Sequence, residues 1–483
     1  SKKILYLTKS FLNFSKILII MNFDLIVIGS GPGGYVAAIR GAQLGLSVAV
    51  VEKSELGGVC LNWGCIPTKA LLKSAQVMNY VKNSEAYGII NDGTAKPDFA
   101  KVISRSRDVS ANMSKGIEFL FKKNKITVIR GYGKLKSASE VVVTDSENNS
   151  ETYSAKHIIL ATGARSREIP GIAIDRKNII TYREALCLEK LPQSMVVVGS
   201  GAIGSELAFF YSSMGAEVTL IEFMPEIVPL EDEEVSKQLA RSFKKAGIKV
   251  MTGTAVKNVD VVDGRCIVNY TDKKGENTIE CEVVLSAVGV TANIENLGLE
   301  ELGIKTEKGK ILVDEYYRTN VDGVYAIGDI VPGHALAHVA SAEGICCVEN
   351  IIGLNPPVVD YSNIPSCVYT TPEVASVGFT EQKLKEMGKA YKVGKFQFIA
   401  SGKAVASGFR DGFVKLLFDE ETDELLGAHF VGDNIAEMIS EMVVLRKLKG
   451  TAKDLINSIH PHPSLSEAIM EAAAAAHGEA VHL

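Results

Sequence analysis

Two cysteines separated by four residues are the most reactive feature of this sequence. Cys60 and Cys65 lie in the segment GGVCLNWGCIPTKA, together with three glycines and a proline. Such a pair could ligate a metal, pack in a core or form a redox disulfide. In a regular helix, Cα atoms five residues apart are about 8.6 Å from each other, whereas a disulfide spans roughly 4.4 to 6.8 Å. A bridge here therefore requires the irregular backbone that the glycines and the proline can supply.

The surroundings of the pair favour redox chemistry but leave packing open. The C-x4-C spacing is not typical of zinc sites, and no second cysteine pair or histidine pair lies nearby, so no metal site is predicted. A helix is predicted to begin between Cys65 and Pro67, where its N-terminus would stabilise a thiolate on Cys65. The remaining cysteines have no motif around them and are interpreted as structural: Cys187, Cys266, Cys281, Cys346, Cys347 and Cys367.

The sequence contains the same glycine pattern twice, in residues 23–53 and 193–223. Each copy reads as an apolar strand, a G-x-G-x-x-G turn, a helix, a second apolar strand and then an acid. The glycines are Gly29, Gly31 and Gly34 in the first copy and Gly199, Gly201 and Gly204 in the second, and the acids are Glu52 and Glu222.

Each part of this pattern has a physical role in binding a dinucleotide. The first glycine makes the tight turn, the second lets a pyrophosphate approach the backbone, and the third allows close packing of helix on strand. The pyrophosphate lies at the helix N-terminus, and the acid accepts hydrogen bonds from ribose hydroxyls. The two copies therefore predict two dinucleotide sites on parallel sheets that are covered on both faces.

A histidine near the end of the chain could act as the proton partner of the thiols. In the segment HPHPSLSE, His462 precedes Glu467 by five residues. The structural interpretation is a capping box between Ser464 and Glu467 at the start of a helix. The functional interpretation is that His462 is a general base oriented by Glu467. The two interpretations are compatible.

Composition and hydrophobic patterning limit the function classes and folds that remain possible. The net charge of −5 argues against a general binder of nucleic acid or anionic membranes. No run of 18 apolar residues suggests a transmembrane helix. Eight scattered cysteines indicate a reducing compartment. After residue 360, segments in which apolar and polar residues alternate, such as GFVKLLFD, predict an antiparallel sheet with one solvent-exposed face. This sheet would belong to a separate α+β domain.

Together, the cysteine segment, both glycine fingerprints, ATGA, VYAIGD and HPHPSLSEA resemble the flavin-dependent disulfide oxidoreductases. The resemblance runs from about residue 22 to the C-terminus. It implies an α/β fold with two Rossmann-like dinucleotide-binding domains and a C-terminal α+β dimerisation domain. The expected parts are an extension outside the fold (1–20), an FAD domain (21–165), an NAD domain (166–288), a central domain that completes the FAD site (289–358) and an interface domain (359–483).

The resemblance also implies where the cofactors bind. The first fingerprint, with Glu52, would hold FAD, and the second, with Glu222, would hold NAD. The ATGA turn, at Thr162 and Gly163, would border the FAD, and Asp329 would contact the flavin ribityl chain.

The reacting residues follow from the same resemblance. Cys60 would exchange with the substrate disulfide or dithiol, and Cys65 would face the flavin. Lys69 would lie near flavin N5 and pair with Glu206. The His462–Glu467 dyad would come from the partner subunit, so each active site would require a homodimer.

Two features select a branch of this family. Glu222 at the end of the second strand favours NAD over NADP, and no cysteine follows Cys367, so branches with a C-terminal cysteine pair are disfavoured. We therefore expect oxidation of protein-bound dihydrolipoyl groups through Cys60, Cys65 and FAD, with reduction of NAD+ to NADH. The carriers would belong to the acyltransferase core of 2-oxo acid dehydrogenase complexes or to glycine cleavage, in a bacterial cytoplasm or, alternatively, a mitochondrial matrix.

The alternative functions are a binding or scaffold protein and a flavoprotein of another type. A binding or scaffold protein would be favoured by the loss of a cysteine or a fingerprint glycine, and neither is lost. A transhydrogenase or diaphorase-like flavoprotein would not need both cysteines and His462.

Overall fold

A computed structural model describes residues 22–482 of the chain. The predicted extension over residues 1–20 lies outside the described residues. The helices are α1 (Pro32–Gln43), α2 (Gly58–Trp63), α3 (Cys65–Lys82), α4 (Phe99–Lys123), α5 (Tyr182–Ala185), α6 (Ala202–Met214), α7 (Glu233–Lys245), α8 (Ala337–Ile351), α9 (Glu381–Met387), α10 (Gly402–Ser407), α11 (Ile435–Lys447), α12 (Ala452–Asn457) and α13 (Glu467–Ala475).

The strands form the sheets to which these helices attach. They are β1 (Asn22–Ile28), β2 (Val48–Glu52), β3 (Thr127–Arg130), β4 (Tyr132–Ser137), β5 (Glu140–Thr144), β6 (Ser150–Leu160), β7 (Ala164–Ser166), β8 (Ile179–Ile180), β9 (Ser194–Val198), β10 (Glu217–Ile221), β11 (Lys249–Met251), β12 (Ala255–Val262), β13 (Arg265–Asp272), β14 (Gly275–Cys281), β15 (Val283–Ser286), β16 (Val290–Ala292), β17 (Thr306–Glu307), β18 (Lys310–Ile311), β19 (Val324–Ala326), β20 (Ser366–Val368), β21 (Glu373–Gly378), β22 (Tyr391–Gln397), β23 (Phe413–Asp419) and β24 (Leu425–Gly432).

The first fingerprint strand lies in the middle of a mixed sheet with the order β3-β2-β1-β6-β5-β4. Strand β1 pairs in parallel with β2 on one side and with β6 on the other. Leu25, Ile26 and Val27 are completely buried because both faces of β1 are covered. Burying one such side chain stabilises the fold by about 1.5–3 kcal/mol. Strand β19 also pairs in parallel with β6, so the segment after the second nucleotide unit returns to the first sheet.

The second fingerprint strand has the same surroundings in a second parallel sheet. Its order is β11-β10-β9-β15-β8, and β9 pairs with β10 and β15 as β1 pairs with β2 and β6. The two copies of the sequence pattern therefore fold into two copies of one strand arrangement. A separate antiparallel sheet, β12-β13-β14, accompanies the second copy.

The C-terminal part is an antiparallel sheet with the order β20-β21-β24-β23-β22. The sequence predicts that one face of this sheet is exposed to solvent. This prediction is wrong for β23, because all seven of its residues are buried. Lys415 has 0% exposure, and its Nζ atom lies 3.0 Å from Asp232 Oδ1 and 2.6 Å from Glu381 Oε2. The alternating pattern of β23 predicts that Lys415 faces solvent. In the structure, Lys415 instead forms a buried ion network with Asp232 and Glu381, at the starts of α7 and α9.

The predicted fold class is confirmed by this architecture: two dinucleotide-type α/β units and a C-terminal α+β unit. The boundaries after residues 165, 288 and 358 stay predictions. Among the helices of residues 22–482, none combines the length and the apolar character needed to cross a membrane.

Candidate active site

The two cysteines lie on either side of a helix break. Cys60 is on α2, and Cys65 is the first residue of α3, as the sequence predicted. Between the helices, Gly64 has φ −147° and ψ −109°, which is outside helical geometry. A Cβ atom at Gly64 would lie 3.2 Å from Val59 O. The irregular backbone that a bridge requires is therefore present, and both thiols are partly buried and free in this structure.

The two thiols interact and have different acidities. The hydrogen bond from Cys60 lowers the pKa of Cys65, and the charge of Lys69 acts in the same direction. The same hydrogen bond, together with burial, raises the pKa of Cys60. Cys65 is therefore the favoured thiolate of the pair, and Cys60 retains the proton. The assignment of Cys65 to the flavin and of Cys60 to exchange with the substrate stays a prediction.

Lys69 and Glu206 connect the two nucleotide units beside the thiols. The Nζ atom of Lys69, on α3, lies 2.9 Å from both carboxylate oxygens of Glu206, on α6. The side chain of Glu206 is 4% exposed and that of Lys69 is 34% exposed. Because Glu206 is buried and accepts two charge-assisted hydrogen bonds, the pair fixes the position of the Lys69 ammonium.

The first glycine turn is too tight for any other residue. Gly29 has φ +104°, and a Cβ atom there would lie 2.2 Å from Ala161 O. A Cβ atom at Gly34 would lie 1.9 Å from Gly29 O, whereas one at Gly31 would meet nothing within 4 Å. The first and third glycines thus hold the turn against β6 and α1, and the second faces open space, where a pyrophosphate can approach the backbone.

The second glycine turn repeats this geometry. Gly199 has φ +97°, and a Cβ atom at Gly204 would lie 1.9 Å from Gly199 O. Gly201 again faces open space. Two separate turns therefore have the form of a pyrophosphate cradle, each at the N-terminus of a helix.

Glu52 is held against the first glycine turn. Its Oε2 atom accepts hydrogen bonds from the Ser30 N–H at 2.9 Å and the Ser30 hydroxyl at 2.6 Å. Its Oε1 atom accepts one from the Ser54 N–H at 2.8 Å. Since a carboxylate oxygen can accept two hydrogen bonds, Oε1 retains a lone pair for a ribose hydroxyl.

Glu222 has the equivalent contacts at the second turn. Its Oε2 atom accepts hydrogen bonds from the Ser200 N–H at 2.8 Å and the Ser200 hydroxyl at 2.6 Å, and its Oε1 atom accepts one from the Met224 N–H at 2.8 Å. The sequence interpretation missed the serines in both fingerprints. The signal was available, because both copies read G-S-G.

Asp329 and Thr162 lie at the ends of neighbouring strands of the first sheet. Asp329 follows β19 in a short 3-10 turn, and burial raises the pKa of its carboxyl. Thr162 follows β6, and its hydroxyl donates to Asn293 O at 2.6 Å. Gly163 has φ +68° and continues the same turn. The structure thus brings these residues to the carboxyl edge of the sheet, where ligands bind in such folds.

His462 and Glu467 form an oriented pair on the surface of their own chain. His462 Nδ1 lies 2.8 Å from Glu467 Oε1, and the imidazole side chain is 80% exposed. Burial opposes ionisation of Glu467, but hydrogen bonds from the Ser464 N–H and His462 lower its pKa overall. The capping box is only half formed, since the Ser464 N–H reaches Glu467 Oε2 at 2.7 Å but the Ser464 hydroxyl has no partner. The reason is that α13 begins at Glu467 with Ser466 as N-cap.

Two family models match this chain and decide its classification. Residues 23–344 match the pyridine nucleotide-disulphide oxidoreductase family, and residues 364–473 match the dimerisation domain of the same family. The chain belongs to the pyridine nucleotide-disulphide oxidoreductase family. The predicted family and enzyme class are thereby confirmed, and the matched dimerisation domain supports a homodimer.

Curated members of the family resemble the chain over nearly its whole length. It is 48% identical to dihydrolipoyl dehydrogenase of Rhizobium etli, with 95% of this chain and 99% of the relative covered. It is 44% identical to the mitochondrial dihydrolipoyl dehydrogenase of Pisum sativum, with 95% of this chain and 92% of the relative covered. The chain is therefore an enzyme of the flavoprotein disulfide oxidoreductase type.

Solved structures of similar proteins support the fold. LpdA from Mycobacterium tuberculosis has a TM-score of 0.87 at 26% identity, with 94% of this chain and 99% of that chain covered. The flavoprotein disulfide reductase RclA from Escherichia coli has a TM-score of 0.85 at 24% identity, with the same coverage, which shows a shared fold.

The cofactors that the family implies, FAD and NAD(H), fit the donor groups of this chain. The two glycine cradles have room for a pyrophosphate, and each adjoining acid keeps a free lone pair. Among residues 22–482, no cluster of three or more cysteine, histidine or acidic side chains is placed to hold a metal ion.

Proposed function

We propose that this enzyme oxidises dihydrolipoyl groups on a carrier protein to the lipoyl disulfide and reduces NAD+ to NADH. The observation that carries the proposal is the helix break at Gly64, which places Cys60 and Cys65 in contact beside the Lys69–Glu206 pair. The high identity to curated dihydrolipoyl dehydrogenases supports the choice of substrate.

The substrate dithiol exchanges with the Cys60–Cys65 disulfide of the enzyme. His462, oriented by Glu467, accepts a proton from one substrate thiol, and the resulting thiolate attacks Cys60 in the Cys60–Cys65 disulfide. The second substrate thiol then attacks the mixed disulfide and gives its proton to the departing Cys60, so that one S–S bond forms in the substrate as one breaks in the enzyme. Two electrons enter the enzyme, Cys60 leaves as a thiol and Cys65 as a thiolate.

The residues around Cys65 assist its next step. The Lys69 ammonium and the proton held on Cys60 both stabilise negative charge on Cys65. FAD, when bound, supplies a two-electron acceptor from which hydride passes to NAD+. Glu222 favours NAD+ because a carboxylate accepts hydrogen bonds from a free ribose hydroxyl and repels a 2′-phosphate.

The remaining site residues would bind the two cofactors and complete the partner's active site. The first glycine turn, Glu52, the turn at Thr162 and Gly163, and Asp329 would bind FAD, and the second turn with Glu222 would bind NAD. The exposed His462 would serve the active site of the partner subunit. The lipoyl carriers would be those of 2-oxo acid dehydrogenase complexes or of glycine cleavage, and the compartment a bacterial cytoplasm, with a mitochondrial matrix as the alternative.

One comparison of substrates tests this proposal. FAD-loaded protein is assayed for NAD+ reduction by dihydrolipoamide and, in parallel, for NADPH oxidation by glutathione disulfide, both followed at the absorbance of the reduced nicotinamide. We expect turnover with the first pair and none with the second. Turnover only with glutathione disulfide and NADPH would contradict both the substrate and the role of Glu222.

A further inference from the structure

A tyrosine from the C-terminal unit completes the environment of the Lys69–Glu206 pair. Tyr369 directly follows β20, and its backbone N–H donates to Glu206 Oε1 at 3.0 Å. The Nζ atom of Lys69 lies 4.4 Å from the centroid of the Tyr369 ring. Three separate parts of the chain therefore meet at one ammonium group: α3, α6 and the end of β20.

The two contacts of Tyr369 differ in how they depend on the side chain. The N–H bond to Glu206 comes from the backbone, so it persists whatever residue occupies position 369. The contact with Lys69 comes from the ring face, whose quadrupole attracts a cation. Burial raises the pKa of Tyr369, so the phenol stays neutral near pH 7 and the attraction comes from the ring. The ring and the backbone can therefore be tested separately.

The position of the ammonium matters to Cys65 because Lys69 lies four residues further along α3. Residues at i and i+4 of a helix are neighbours on one face. The groups that act on Cys65 are Cys60 on α2, Lys69 on its own helix and Glu206 on α6, while Tyr35 on α1 faces both thiols. Lys69 stabilises the Cys65 thiolate and Glu206 opposes it. A lysine that moves relative to Cys65 would change that balance.

We propose that Tyr369 is a positioning residue that holds the Lys69 ammonium, against Glu206 and beside Cys65, through the face of its ring. The C-terminal unit thereby contributes to the redox centre of its own chain. This inference rests on the proposed function, since it concerns the thiolate that the proposed reaction uses.

Substitution of the ring tests the inference in FAD-loaded protein. Tyr369→Leu removes the ring and keeps the backbone contact, whereas Tyr369→Phe keeps the ring and removes the hydroxyl. Each protein is reduced with dihydrolipoamide, and the long-wavelength thiolate–flavin absorbance is titrated with pH. We expect Tyr369→Leu to weaken ionisation of Cys65 about threefold, which moves the midpoint up by about half a pH unit. Tyr369→Phe should titrate like the wild type.

A matched control and a second ring-free variant complete the design. In Tyr316→Leu, a tyrosine ring 5.7 Å from the Arg318 guanidinium is removed elsewhere in the molecule, and the midpoint should not move. Tyr369→Met removes the ring with a longer, flexible side chain, in case the leucine variant folds poorly. Equal midpoints in the wild type and the ring-free variants would overturn the inference and leave the proposed function intact. Absence of the long-wavelength band in FAD-loaded wild type would instead contradict both.

Discussion

His462 Nδ1 lies 2.8 Å from Glu467 Oε1, yet the His462 side chain is 80% exposed. An oriented histidine that is exposed on its own chain is accessible to another molecule, as the proposed general base of a partner subunit's active site must be. In a symmetric dimer, the same surface of each subunit meets the other. If His462 is the general base, as proposed, the reaction requires the dimer.

His462→Gln should lower the rate of dihydrolipoamide oxidation by about 10²- to 10⁴-fold, the range for loss of a general base. FAD content should stay at the wild-type level, because the imidazole is exposed and contributes little to the core. His477→Gln provides a matched control, since His477 Nε2 lies 2.9 Å from Asp423 Oδ1 in a similar histidine–acid pair. Steady-state kinetics and the flavin absorbance of both variants are the measurements.

Mixing two inactive variants tests whether His462 serves the partner subunit. In dimers of one Cys65→Ser subunit and one His462→Gln subunit, one active site combines an intact thiol pair with an intact histidine. Random exchange between equal amounts of the two should restore about a quarter of the wild-type activity. Exchange without any recovery would place His462 and Cys65 of one chain in the same active site.

Glu343 should make the stability of the enzyme depend on pH. It is 1% exposed and accepts hydrogen bonds from the Gly328 N–H and the Tyr361 hydroxyl, both at 2.6 Å. Burial raises the pKa of its carboxyl from 4.5 to about 7, although these hydrogen bonds oppose the rise. Between these values the folded state binds more protons than the unfolded state, so stability falls as pH rises, by up to roughly 3 kcal/mol.

Glu343→Gln removes this titration, and its glutamine oxygen can still accept from Gly328. We expect the variant to gain stability relative to the wild type between pH 5 and pH 8, as measured by urea unfolding at saturating FAD. Glu315→Gln, at an exposed position, is the control and should follow the wild type. Parallel stability profiles for Glu343→Gln and the wild type would show that the carboxyl is ionised throughout.

The two fingerprint acids should fail differently when neutralised. Glu52→Gln should release FAD more readily, and Glu222→Gln should raise KM for NAD+ without loss of FAD. Each effect should be about 10- to 100-fold, because a hydrogen bond to a charged group contributes about 1.5–3 kcal/mol. Flavin retention on dilution and KM for NAD+ are measured for both variants. Loss of FAD from Glu222→Gln would reverse the assignment of the two sites.

The features that could be predicted from the sequence are those with local causes. The glycine turns follow from spacing, and the break at Gly64 follows from glycines next to the cysteines. For the same reason the sequence predicts that α3 begins between Cys65 and Pro67, and it begins at Cys65. Such features depend on a few neighbouring residues, so the pattern alone predicts them.

The features that the sequence did not reveal depend on partners that are distant along the chain. Lys415 is buried because Asp232 and Glu381 lie beside it in the folded protein, so its alternating segment was misinterpreted. The contact of Tyr369 with Lys69 likewise joins two elements that are far apart along the chain. No local pattern around Lys415 or Tyr369 encodes these contacts.

The absorption spectra of Cys60→Ser and Cys65→Ser decide whether Cys65 is the thiolate that faces the flavin. If Cys65 is the flavin-side thiolate, FAD-loaded Cys60→Ser should show a long-wavelength band without any reductant, because Cys65 stays a free thiol and the charge of Lys69 lowers its pKa. Cys65→Ser should bind FAD but show no such band under any reducing condition, and neither variant should oxidise dihydrolipoamide. Cys187→Ser, at a partly buried cysteine outside the pair, should behave as the wild type. A band in Cys65→Ser and none in Cys60→Ser would instead assign the flavin-side thiolate to Cys60.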